Sequence, residues 1–475
     1  MNGRYAPRIH AERQAIRLDA VSGRFDAWLL LCVLALTSVG LVMVASSSIA
    51  MAEARGLGPL YYFYRHVLSV LMGMGVMLAL MYRCDIRQLE KYSRWLLLLA
   101  FVLLLLVWVP GIGHSAKGAR RWLNLGIINF QPAEAVKLIF IIWMASYLSR
   151  FSDEVKGSWL SMLKGLGAAA LLSIVLLAVQ KDFGTTVLLL ATAALMLVIG
   201  GVHLPRMIMP VAMLIPVLIW FVVREAYRMD RLRLWLNPWE DPFGDGYQLT
   251  NALMAVGRGE LWGVGLGGSV QKLNYLPEAY TDFILAVLAE EFGFVGVCVL
   301  IALYALLVSR ILWLGLQCVQ MRRYFPGYLC FGIAMWMAMQ TFISIGVNIG
   351  LLPTKGLTLP LVSFGGSSIL MTFAAMGLLL RVSWELERAR RQVALRREMT
   401  LQGRAAAQVP EVAATPAPTP APRPSGDEDL AQEPQRPAPM TTLWQRLNGW
   451  LSQSGPRHEA PRQRIEPSFG NGGQP

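Results

Sequence analysis

The 475-residue chain is 55% hydrophobic and only 15% charged, with a mean hydropathy of +0.47. Soluble domains carry roughly 25% charged residues, so an ordinary water-soluble enzyme is excluded. The apolar residues come in blocks of membrane-spanning length, which predicts an all-α, polytopic integral membrane protein. A net charge of +13 does not point to nucleic acid, because the basic residues mostly flank apolar runs, where they orient helices and meet anionic lipid.

Residues 1–26 hold five arginines and three acids, too long an n-region for a signal peptide, and read as a cytoplasmic segment before an uncleaved first helix. Ten apolar stretches follow, at about 27–49, 63–82, 95–110, 132–149, 164–180, 184–201, 206–224, 283–309, 324–350 and 366–384. Together they define a membrane domain over 27–384, with a large outer loop at 225–282 between the seventh and eighth stretches. Lys and Arg are concentrated at 83–94, 150–164, 310–323 and 381–397, which places those segments and both termini in the cytoplasm. The 385–475 extension reads as a basic, Pro/Ala-rich disordered tail, since 13 of the 26 prolines lie beyond residue 398. Within it Leu443, Trp444, Leu447, Trp450 and Leu451 share a helical face, either a docking face or a chance cluster. The five scattered cysteines form no CxxC or Cys/His cluster, which argues against a disulfide framework or a zinc site.

Two outer segments break the charge bias. One holds Lys117, Arg120 and Arg121; the other holds Arg228, Arg231, Arg233, Arg258 and Lys272. Cations on the outer side suit a bound phosphate or pyrophosphate, although long loops also cross membranes regardless of charge. An ionisable group at membrane depth is a functional candidate because its desolvation must be offset. Asp282 ends the outer loop and leads into the eighth stretch, where it is either a functional carboxylate or only a helix cap. Glu134 and Lys137, three residues apart, share a face at the start of the fourth stretch and can neutralise each other. Asp182 sits in a tight turn beside Gly184, and Lys355 is an outward cation in the last outer segment. Glu290 and Glu291 lie about two turns into the eighth stretch and read as a buried polar tie. Trp235, Trp239, Tyr247 and Trp262 suit either sugar rings or the interfacial aromatic belt.

Five segments, Gly118–Leu138, Gln180–Thr185, Leu236–Leu266, Leu276–Gly293 and Gly346–Ser368, resemble in sequence and order the SEDS family (shape, elongation, division and sporulation proteins). The last of them is closer to the division members than to the elongation members. Lys181, Tyr280, Ala133 and Phe364 depart from the usual proline, histidine, serine and tyrosine. The resemblance implies a peptidoglycan glycosyltransferase that polymerises lipid II on the outer face of the inner membrane at the division septum. Asp282 would be its catalytic carboxylate, and Glu134, Lys137 and Asp182 would shape the cavity. Lys355 is a further candidate for that cavity, and Arg120, Arg121, Lys137 or a divalent metal would stabilise the leaving pyrophosphate. The resemblance further implies a class B penicillin-binding protein and other division proteins as partners. A divalent cation (Mg2+ or Mn2+) is expected to assist, and no organic cofactor is expected. A lipid II flippase, a non-catalytic scaffold and an elongation-type polymerase remain alternatives at this level.

Overall fold

The structure, a computed structural model, describes residues 21–116, 119–124, 129–224 and 226–407. Lys117 and the tail from 408 onward, including the Leu443–Leu451 face, lie outside the described residues. Each of the ten apolar stretches coincides with a helix. They are α1 (Ala27–Ala54), α2 (Tyr61–Arg83), α3 (Ile86–Leu106), α4 (Pro132–Gly157), α5 (Trp159–Gln180), α6 (Phe183–Ile199) and α7 (Leu204–Val223). After the outer-loop helices α8 (Ala226–Leu236) and α9 (Tyr247–Gly259) come α10 (Ile284–Gln320), α11 (Tyr324–Asn348) and α12 (Gly366–Ala407). Among the described residues, eight of these are long and apolar enough to cross a membrane. Of the other two, α6 has 17 residues, and α3 carries Arg87, Glu90, Lys91 and Arg94 in its first half.

Local chemistry explains several boundaries. Asp26 and Asp85 cap α1 and α3 by accepting from the Leu29 and Arg87 amides at 3.1 and 2.9 Å. Pro132 opens α4, where a missing N–H costs nothing. Exposed apolar side chains such as Ile208, Met213, Ile215 and Trp220 leave α7 hydrophobic on its outer faces, as a helix solvated by lipid requires. The core is built on α4 and α11, whose large buried side chains include Phe140, Met144 and Trp336. Helices α2 and α12 approach closely because each offers a glycine: a Cβ at Gly73 would lie 2.5 Å from the Phe373 ring, and one at Gly377 would lie 2.7 Å from the Met77 carbonyl oxygen.

Three features differ from the expectation. The 111–131 segment is not simple loop: it forms a three-stranded antiparallel sheet, β1 (Gly113–Ala116), β2 (Ala119–Asn124) and β3 (Asn129–Phe130), in the order β1-β2-β3. Its strands are too short for hydrophobic periodicity to reveal them. The 225–282 loop likewise contains α8 and α9, held by contacts with distant segments. Finally, α12 continues to Ala407, so the part of the expected disordered tail from 385 to 407 is helical.

The eighth stretch also changes course. Gly293 has φ 65° and ψ −165°, which separates a short helix before it from the long helix that follows. Backbone groups freed at such a break need partners at membrane depth. The loop after α9 supplies them. Val264 and Gly265 donate to the Glu290 and Glu291 carbonyls at 3.0 Å each, while Phe294 donates to the Glu260 carbonyl at 2.9 Å.

Candidate active site

The short helix before Gly293 presents Asp282 just ahead of its first turn. The α10 N-cap is Phe283, without a side-chain cap bond, so Asp282 is not the cap. Asn348, the last residue of α11, braces this terminus instead. Its Nδ2 donates to the Asp282 carbonyl at 2.9 Å, and its Oδ1 accepts the Ala286 N–H at 3.0 Å. Asn348 is fully buried, so these bonds work where water does not compete. The Asp282 side chain remains half-buried, at the border between core and outer face.

A second element converges on this carboxylate. A Cβ at Gly356 would lie 3.0 Å from Asp282 Oδ2, so the chain at Lys355–Leu357 runs directly against Asp282. The same segment meets α6, because a Cβ at Gly184 would lie 3.5 Å from Leu357 Cγ and Lys355 Nζ sits 4.6 Å from the centre of the Phe183 ring. Arg231 of α8 donates to the Thr354 carbonyl at 3.1 Å, and the Trp235 indole N–H donates to the Gly350 carbonyl at 2.9 Å. Trp235, weighed as a sugar or belt residue, is therefore a tie between the outer loop and this segment.

Asp182 caps α6. One oxygen accepts the Thr185 N–H at 3.1 Å and the other accepts the Thr185 hydroxyl at 2.8 Å. Arg121 of β2 holds the turn before it, donating from Nε to the Gln180 carbonyl at 2.8 Å and from Nη2 to the Lys181 carbonyl at 3.0 Å. These are the orphan carbonyls at the end of α5, which a guanidinium is well suited to satisfy. Arg121 thus positions the Asp182 turn. Arg120, its neighbour in the strand, projects to the other face and is exposed.

Below the loop lies the Glu134/Lys137 pair. Lys137 Nζ is 2.8 Å from Glu134 Oε2, donates to Gln340 Oε1 at 2.9 Å, and faces the Trp336 ring at 5.1 Å. The two charged groups are 8% and 2% exposed at their side chains, so each depends on the other to be stable at this depth. Gln340 then donates from Nε2 to the Thr358 carbonyl at 2.8 Å, and the Thr358 hydroxyl donates to Ser368 at 2.9 Å. A continuous polar path therefore connects Glu134 to the segment that borders Asp282. Sequence reasoning missed Gln340, Trp336 and Asn348. The available signal was a lone amide in a long apolar stretch, which is costly for the same reason as a charge.

The other two acids secure the outer loop, as a buried tie. Glu290 accepts from Arg258 at 2.6 Å, from the Val270 N–H at 3.0 Å and from the Ser269 hydroxyl. Glu291 accepts from Lys272 at 2.7 Å and from Ser46 of α1 at 2.7 Å. At the start of α2, Tyr280 packs tilted against Tyr62 at 4.9 Å and edge-on against Phe364 at 5.5 Å between ring centres. Burial, then the neighbouring Tyr62 and Glu278, raise the Tyr280 phenol well above its ordinary pKa, so it holds its proton.

The class this architecture defines is a multi-pass helical membrane protein with a polar site walled by a broken helix, a sheet-bearing loop and the segment before α12. The family model for the cell cycle proteins FtsW, RodA and SpoVE matches residues 26–388, and the chain belongs to that family. A relative from Xanthomonas oryzae pv. oryzae, named a probable peptidoglycan glycosyltransferase FtsW, is 55% identical over 394 residues, covering 83% of this chain and 79% of the relative. One from Coxiella burnetii with the same name is 43% identical over 78% of this chain and 99% of its own length. Among solved structures, a chain of a peptidoglycan synthase complex that coordinates polymerization and crosslinking is similar at a TM-score of 0.61 and 28% identity, covering 76% of this chain and 98% of that one. Thermus thermophilus rod shape determining protein RodA is similar at a TM-score of 0.53 and 27% identity, covering 76% and 96%.

Proposed function

We propose that this protein is the peptidoglycan glycosyltransferase of septal wall synthesis, polymerising lipid II during cell division. The observation that carries the reading is Asp282, a half-buried carboxylate set against the Lys355–Leu357 segment, with its backbone braced by Asn348. In a single displacement, the GlcNAc 4-hydroxyl of the acceptor attacks C1 of the donor MurNAc and loses its proton to Asp282. The C1–O bond to undecaprenyl pyrophosphate breaks, and the α-linked donor becomes a β-linked unit of the strand. Negative charge on the departing pyrophosphate is met by Lys355 and Arg120. Glu134, Lys137 and Asp182 hold the walls, and Arg121 fixes the Asp182 turn.

Among the described residues, no three His, Cys, Asp or Glu side chains gather into a metal cluster. A Mg2+ or Mn2+ ion, if it takes part, would enter on the substrate's own phosphates and offset pyrophosphate charge, leaving Asp282 as the base. The reading places the protein in the inner membrane at the septum, with both termini cytoplasmic and Asp282 on the periplasmic side. It takes a class B penicillin-binding protein as its transpeptidase partner, together with other division proteins. The relatives named for division at 55% and 43% identity favour this over an elongation role.

The test is polymerisation of labelled lipid II by the purified protein with its cognate penicillin-binding protein and divalent cation. Strands from the wild type and none from a folded Asp282→Ala variant are expected. Strands from both would remove Asp282 from the reaction. No strands from either, with lipid II crossing vesicle bilayers, would replace the enzyme by a flippase.

A further inference from the structure

The two ends of α11 define the two poles of the bundle. Asn348 at its C-terminus touches Asp282, and Arg323 precedes its first residue. With about 1.5 Å per residue along the helix, the poles are roughly 37 Å apart. At the Arg323 pole lies a cavity of about 400 Å³ between the start of α3, the start of α11 and the Arg381–Arg396 stretch of α12. Five arginines line it, Arg87, Arg323, Arg381, Arg388 and Arg396, against two acids, Asp85 and Glu385. A second cavity of about 280 Å³ adjoins it and shares Arg87, Arg323 and Glu385.

Both acids already have partners. Asp85 caps α3, while Glu385 pairs with Arg381 at 3.1 Å and Arg323 at 3.5 Å and accepts the Ile86 N–H at 3.4 Å. Trp384 is flanked by the guanidinium groups of Arg381 at 4.6 Å and Arg388 at 5.5 Å, which fixes two cations at the rim. Among the described residues, the Arg87 and Arg396 side chains form no ion pair. The cavity therefore keeps an excess of fixed positive charge after its own acids are used. Exposed aromatic residues nearby, Tyr82 and Tyr324 at helix ends and Tyr92 and Trp95 in the first half of α3, mark the depth of a membrane interface.

We propose that this cleft binds the phosphate headgroup of an anionic membrane phospholipid. Guanidinium forks match phosphate oxygens in geometry and charge, and basic pockets between membrane helices are the recognised form of a headgroup site. The interfacial setting favours a lipid over a soluble anion, because a lipid delivers its phosphate at this depth while its acyl chains stay beside the exposed apolar faces of α2 and α3. The adjoining chamber, sharing Arg87 and Arg323, extends the site for a headgroup carrying a second phosphate. A lipid here bridges the starts of α3 and α11 and the middle of α12 and steadies the pole opposite the reaction.

The experiment is native mass spectrometry of the full chain in detergent with phosphatidylglycerol, cardiolipin or phosphatidylcholine added. Retention of the two anionic lipids is expected, with affinity falling roughly thirtyfold in the Arg87→Gln/Arg396→Gln variant, as loss of two interfacial cations requires. The Arg94→Gln/Arg397→Gln variant removes equal charge outside the cleft and should retain the lipids. Equal loss in both variants, or equal retention of phosphatidylcholine, would overturn the site. Arg87- and Arg396-dependent binding of inorganic phosphate in lipid-free micelles, with no retained lipid, would reassign it to a soluble anion. Lipid binding that appears only after neutralising the acidic run Asp427, Glu428 and Asp429 would assign the cleft to the chain's own tail.

Discussion

Asn348 grips Asp282 by the backbone: one amide side chain donates to the Asp282 carbonyl and accepts the Ala286 N–H, so the entry to the short helix is held from the end of α11. The carboxylate is left to face the Lys355–Leu357 segment while its main chain is immobilised. Replacing Asn348 by Ala leaves buried groups unpaired, at a cost of about 1–3 kcal/mol each. Asn348→Ala should lower the polymerisation rate by more than about tenfold, since small misplacements of a reacting group are that expensive. Asn348→Asp keeps the acceptor and loses the donor, and should fall between. Rates on lipid II alongside thermal melting of each variant provide the check; wild-type turnover in Asn348→Ala would remove the brace from the mechanism.

Glu134 and Lys137 should behave as a unit. Removing one partner strands a buried charge, which typically costs about 3–5 kcal/mol. Glu134→Gln and Lys137→Met should each destabilise the detergent-solubilised protein strongly, whereas the double variant should lose less than the sum. A double-mutant cycle on melting temperatures measures the coupling. Additive losses would mean that Gln340 and Trp336, rather than Glu134, sustain the lysine.

Gly356 reports on space beside the carboxylate. It is exposed, so a side chain there should change stability by only about 0.5 kcal/mol. The added atoms would nevertheless press on Asp282 Oδ2. Gly356→Val should therefore lose most polymerisation with its melting temperature nearly unchanged. Full activity in that variant would show that the segment moves away from Asp282 when substrate binds.

Tyr280 yields a pH prediction. Burial raises its phenol, so the neutral form persists as pH rises through the range where an unperturbed tyrosine begins to ionise. Its contribution to stability is thus fully present below the ordinary tyrosine value and is lost as pH rises from there through the raised folded value. Tyr280→Phe should leave the pH profile of polymerisation unchanged from neutrality to moderate alkali. A displaced alkaline limb would show that the phenol titrates within the working range.

Arg121 tests the turn before α6. Arg121→Ala should loosen the Gln180–Lys181 turn that carries Asp182 and reduce both stability and activity. Arg121→Lys should restore only part, because one ammonium does not reproduce a fork across two carbonyls. Limited proteolysis at the α5–α6 turn, compared between the two variants, distinguishes this positioning role from direct binding of pyrophosphate, which would alter activity without exposing the turn.

The helices were legible because membrane solvation demands long apolar runs, and the ends of those runs carry their own caps in Asp26, Asp85 and Asp182. Asp282 stood out for a related reason, since a carboxylate beside an apolar stretch is costly enough to be noticed in one dimension. The partners of these groups were not legible. Lys137 meets Gln340 across 203 positions, Asn348 meets Asp282 across 66, and Arg121 meets the Gln180 carbonyl across 59. The sheet in 111–131, the helices of the outer loop and the break at Gly293 likewise depend on contacts with distant segments. Local sequence determined which residues had to be buried in lipid and which needed a partner, because solvation acts on each segment by itself. Only the tertiary structure decided who those partners are, because hydrogen bonds and ion pairs form between groups that packing, not sequence spacing, brings within 3 Å.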